Sequence, residues 1–158
     1  MIATVIGVSR LIAAAVAIFF AIYRLPDVAA AVQATNVGIV VYFGLVSFFS
    51  HVVFWRADAE RLGVDTSGYP FFQWEVGFGN LAFGVTGLFA YLLEWGVLAE
   101  AVVMLGYGIY LAQAALLITY KVLRNTPVNL GKLFLSAGAA LLIAGYLLYF
   151  AHLGILHG

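Results

Sequence analysis

The chain has 158 residues, 65% of them apolar and only 9% charged, with seven Lys or Arg balancing seven Asp or Glu. An average soluble domain is roughly 25% charged, so these few charges cannot clothe a globule of this size. The zero net charge excludes the basic footprint of a nucleic-acid binder, and the absence of cysteine excludes a disulfide framework, a thiolate metal site and a sulfur nucleophile.

An apolar run of about 20 residues carries an α-helix across the ~30 Å hydrocarbon layer. Five such runs follow one another, at residues 2–25, 34–55, 71–93, 98–120 and 130–153, and predict a single all-α membrane domain of five spans. No charged region precedes the first run, and it is longer than the apolar core of a signal peptide, so it reads as span one. Leu25-Pro26-Asp27 stops it, and it carries a small-residue stripe of Gly7, Arg10, Ala14, Ala17 and Ala21. Span two presents Asn36, Gly44, Ser47 and His51 on one face, and the punctuation from Gly63 to Pro70 separates it from span three. Span three has two small-residue faces. Gln73, Gly77, Asn80, Gly84 and Gly87 form one, and Glu75, Gly79, Ala82 and Thr86 the other. Because small residues mark faces where membrane helices approach closely, the two faces predict that span three sits at the centre of the bundle. The short connection from Glu94 to Val97 makes spans three and four antiparallel neighbours. Asn125-Thr126-Pro127 precedes span five, whose Gly131, Gly138, Gly145 and His152 recur at intervals of seven.

Short loops rich in Lys and Arg stay on the cytoplasmic side. Arg56, Arg61, Lys121, Arg124 and Lys132 gather on the side of the N-terminus, and Arg24 alone lies opposite, which predicts a cytoplasmic N-terminus and an outward C-terminus. Counted from the cytoplasmic end at about 1.5 Å per residue, Lys132 lies ~3 Å deep, His51 and Glu75 ~6 Å, Gln113 ~10 Å, Arg10 ~12 Å and Asn80 ~13 Å. All five spans thus place a polar side chain in one half of the membrane. The outer half offers only Asn36, Glu100 and His152, each near a predicted helix end. An unpaired Arg near the bilayer centre costs roughly 2.5 to 3.5 kcal/mol. Glu75, the only carboxylate within a span on that side, is the expected partner of Arg10. His51, Gln73, Asn80 and Gln113 are the expected flanks, while Lys132 snorkels.

The segment Ser50-His51-Val52-Val53-Phe54, with Pro70-Phe71 and the run Gln73-Trp74-Glu75-Val76-Gly77-Phe78-Gly79-Asn80-Leu81-Ala82-Phe83-Gly84, resembles a prokaryotic family of small multi-pass membrane proteins, the domain of unknown function 6790. A fainter likeness continues through Gln113 to Thr126-Pro127-Val128-Asn129-Leu130-Gly131. Two departures stand out. One extra residue separates Pro70 from Gln73, and Leu111-Ala112-Gln113 stands where the family tends to carry a second Gly-His. The resemblance implies a membrane location and directs attention to His51, Glu75, Asn80 and Gln113. It brings no activity with it.

A bis-histidine haem is disfavoured because His51 and His152 fall at opposite ends of their spans. A metal held by His51 and Glu75, with Asp58, has suitable ligand types but one histidine only, so no metal or other cofactor is expected. No P-loop, dinucleotide, nucleophile-elbow or paired-carboxylate motif appears, so nothing points to an enzyme. The sequence therefore reads as an accessory or scaffold subunit, or a small oligomer, of the cell (inner or plasma) membrane. Its expected partners are the lipid bilayer and either further copies or a larger membrane complex. The alternative is binding or transport of a small solute, lipid headgroup or proton through Arg10, His51 and Glu75.

Overall fold

The computed structural model describes residues 2–62, 66–124, 131 and 133–158, and these contain helices and short connections but no strand. The elements are α1 (Ile2–Tyr23), α2 (Val28–Val53), α3 (Trp55–Leu62), α4 (Phe71–Leu92), α5 (Val97–Arg124) and α6 (Ala139–His157), the last preceded by a π-helical stretch, Leu133–Gly138. Lys132 and Asn125-Thr126-Pro127 lie outside the described residues.

Span two begins earlier than its hydropathy suggests. The Asp27 carboxylate accepts from the backbone N–H of Ala30 at 3.1 Å and caps α2, so Pro26-Asp27 ends one helix and starts the next. α2 is not uniform. Asn36–Val41 and Phe49–Val53 are π-helical, and the latter closes with Phe54 N–H donating to Phe49 O at 2.9 Å. Such wide turns collect at functional sites. The chain then turns at Phe54 into α3, a short amphipathic helix with Asp58 and Ala59 buried.

Four helices are long and apolar enough to cross a membrane: Val5–Tyr23, Val28–Val53, Val97–Arg124 and Ala139–His157. The expectation of five is met for these four. α4 has 22 residues, enough length, but its Gln73, Glu75 and Asn80 together with four glycines keep it out of that set.

The centre of the bundle is α2, which corrects the expectation that span three, here α4, is central. α2 packs on α1, α4, α5 and α6, and 44% of its most apolar stretch is buried, against 17% for α1 and 28% for α5 and α6. The reason lies in the faces of α4. Gln73, Gly77, Asn80, Gly84 and Gly87 are buried, whereas Glu75, Ala82 and Thr86 are exposed. Among the described residues it is the first of its two small-residue faces that is buried, and of the second only Gly79 is half-buried. On the first face the backbones meet: a Cβ added to Gly44 of α2 would lie 2.6 Å from Gly84 Cα and from Asn80 O. α5 and α6 close the opposite side, where a Cβ on Gly154 would lie 2.7 Å from Ala101 Cβ.

Candidate functional site

Gln73, Asn80 and Gly87 follow one another along the buried face of α4 at seven-residue steps, about 10.5 Å apart. Each marks a polar layer between α4 and its neighbours.

In the first layer the π-helical end of α2 supplies Ser50 and His51, α3 supplies Asp58 and α4 supplies Gln73. His51 Nδ1 lies 2.7 Å from Asp58 Oδ2 and 2.9 Å from Gln73 Oε1, and Ser50 Oγ donates to Asp58 Oδ1 at 3.1 Å. A proton assigned to Nδ1 is directed to Gln73 Oε1, with Asp58 Oδ2 in close contact with the same nitrogen, and leaves Nε2 as a lone pair. Ser50 is turned to the carboxylate rather than to the imidazole, so the trio is not a nucleophilic triad. Asp58 is fully buried. Burying its charge is tolerable only with such partners. Gln73 is also buried, and its Nε2 has no hydrogen-bond partner.

The middle layer is closed. Asn80 Nδ2 donates to Val76 O at 2.8 Å and to Tyr110 Oη at 3.2 Å, and Tyr107 Oη donates to Asn80 Oδ1 at 2.8 Å. Phe83 packs on both tyrosine rings at centroid distances of 5.3 and 5.7 Å.

The third layer lies at the other end of α2, on its first π-helical stretch. Asn36 Nδ2 donates to Gly87 O and to Glu100 Oε2, both at 2.9 Å, and Gln33 and Glu100 line one cavity. Glu100 is 1% exposed. Beside it, Thr35 Oγ1 and Tyr146 Oη are 3.1 Å apart.

Of the residues singled out from sequence, the structure brings His51 and Gln73 together and places Asn80 one layer away. Arg10 Nη2 donates to Val46 O of α2 at 3.5 Å. Glu75 and Gln113 are exposed on α4 and α5, and the carboxylate that meets His51 is Asp58. Asn36 and Glu100 do not sit loosely at helix ends. They are buried, because α2 starts at Val28 and so sets Asn36 two turns inside the helix. His152 is exposed. Sequence reasoning missed Ser50, Tyr107, Tyr110 and the Asn36 to Glu100 bond. A usable signal existed for Asp58, which follows His51 by seven residues, a distance that a helix and a single turn at Phe54 bring back together.

The comparison with protein families matches residues 1–154 to a family of unknown function, DUF6790. The chain belongs to that family. No curated protein and no solved structure matches it. Within the family run that opens α4, Gln73, Gly77 and Gly84 face α2, Asn80 bonds the tyrosines of α5, and Glu75 alone of the polar residues in that run is exposed.

Proposed function

We propose that this protein is a small oligomeric membrane subunit of the cell membrane, with five spans, and that a second copy of the chain covers the exposed face of α4. One observation carries the reading: Glu75 and Gln113 are exposed on adjacent helices. Ionisable and amide side chains of membrane helices almost always face a protein interior, so outward-facing ones call for an interior that another chain completes. The two share one level of the bundle. Asn80 bonds Tyr107, and Tyr110 Oη donates to Val76 O at 3.4 Å, a register that sets Gln113 level with the first turn of α4, within about a turn of Glu75. A two-fold contact is self-complementary. It lets Gln113 of one copy donate to Glu75 of the other, with Gly79 and Ala82 admitting the approaching backbone. α4 is the fifth span in this arrangement, 22 residues or about 33 Å long. Arg56, Lys121 and Arg124 lie at the cytoplasmic end.

The chain has no cysteine, so single-cysteine variants report without background. Ala82→Cys is expected to form a disulfide-linked dimer in native membranes, while Phe19→Cys on α1 stays monomeric. Native mass spectrometry of the gently solubilised chain is expected to show a dimer that Gly79→Leu converts to monomer. A monomer in both measurements overturns the reading. In intact cells an impermeant maleimide is expected to label Glu94→Cys and spare Arg56→Cys, and the reverse pattern overturns the orientation.

A second reading has its own observation, the unpartnered Nε2 of buried Gln73 beside His51. It favours a small hydrogen-bond acceptor bound in the first layer. Conduction along the α2 to α4 seam is disfavoured, because Gly44 and Gly84 press backbone on backbone between the layers.

A further inference from the structure

Two adjoining cavities lie at the end of the bundle away from His51. A groove of about 620 Å³ runs between α1 and α2, walled by Ala13, Val16, Phe20, Ala34 and Val37, with Arg24 at its end. A second cavity of about 510 Å³ is lined by Glu94, Val97 and Glu100, and Gln33 and Tyr91 line both. The groove runs along α1 from Ala13 past Phe20 to Arg24 just beyond the helix, about 15 Å, long enough for an extended hydrocarbon chain.

Glu100 is the anomaly. It is buried, it lines the second cavity beside Gln33, and its hydrogen bond is to the Asn36 amide. Among the described residues no Lys, Arg or His forms an ion pair with it. Amides satisfy lone pairs but do not balance a charge, and an ion buried at a membrane edge without a counter-charge is costly. A primary ammonium entering the cavity brings a positive charge and three donors. Glu94 on the cavity wall adds a second negative charge. Arg24, across the shared mouth, suits an anionic group next to that ammonium.

We propose that the joined cavities bind an amphiphile bearing a primary ammonium group, with the ammonium on Glu100 and Glu94 and the apolar chain in the groove between α1 and α2. A membrane phospholipid with an amine headgroup and a soluble long-chain amine share this chemistry.

Native mass spectrometry of the delipidated protein tests it, with phosphatidylethanolamine, phosphatidylcholine, phosphatidylglycerol and dodecylamine as probes. Phosphatidylethanolamine is expected to be retained over phosphatidylglycerol by roughly tenfold or more, the worth of a charged hydrogen bond. Phosphatidylcholine, whose quaternary nitrogen has no N–H to donate, is expected to fall to the phosphatidylglycerol level. Glu100→Gln is expected to abolish the preference, and Ala34→Trp, which fills the groove, to lower retention of every lipid. Retention of phosphatidylethanolamine identifies the lipid source, and retention of dodecylamine alone identifies the soluble one. Equal retention of all four probes by the unaltered chain overturns the proposal, whatever the fate of the variants. So does an undiminished preference in folded Glu100→Gln.

Discussion

The two ends of α2 bury one acid each and treat it differently. At one end Asp58 is met by a base, with His51 Nδ1 at 2.7 Å and Ser50 on its other oxygen. At the other, Glu100 is met by the Asn36 amide and opens on a cavity that Gln33 also lines. Both clusters ride on π-helical turns of the same helix. The widened turn is therefore common ground, and what separates the two ends is whether a basic side chain stands against the acid.

The contrast can be broken most severely in the middle. Gly84→Leu forces a side chain into the backbone of Gly44, which a Cβ alone would approach to 3.1 Å. The expected loss is at least about 3 kcal/mol, the upper range for overpacking. It would be seen as loss of a monodisperse, cooperatively melting species in detergent, and it removes both ends together.

The contrast is sharpened by neutralising one acid at a time. Asp58→Asn places an amide donor opposite Nδ1 and strands the buried partners, with an expected cost of about 2 to 3 kcal/mol. Glu100→Gln retains an oxygen for Asn36 and removes a buried acid that no cation faces among the described residues, so its cost is expected below about 1 kcal/mol. Thermal unfolding of the two variants side by side checks the order. Equal losses would mean that the two acids are structurally alike after all.

The smallest effect is expected at a polar residue that belongs to neither end. His152 is exposed on α6, and His152→Ala is expected to shift stability by no more than about 0.5 kcal/mol.

How much of this was readable in the chain depends on the range of each contact. The partners of the Asp58 cluster in α2 and α3 lie within eight residues, and His51 and Gln73 were both singled out. The bond from Asn36 to Glu100 spans 64 residues, and depth counting from apolar runs placed both residues near helix ends. That error followed from starting span two at residue 34, because hydropathy registers apolar side chains and overlooks an Asp27 cap. The two small-residue faces of α4 were equally visible, but a stripe shows that a backbone can approach, not whether one does. Choosing α2 as the centre needed the packed bundle.

Composition and the length of the apolar runs decided by themselves that the chain is all-helical and suited to a membrane, since backbone polar groups in lipid must be satisfied within the helix. The positions of Gly77, Asn80 and Gly84 likewise determined one packing face. Only the tertiary structure decided which carboxylate meets His51, which face of α4 stays exposed and which buried acid lacks a counter-charge. Those outcomes depend on the rotation and register of helices against one another, set by contacts between residues far apart in the chain. The seven acids of a sparsely charged sequence acquire distinct meanings only at that level.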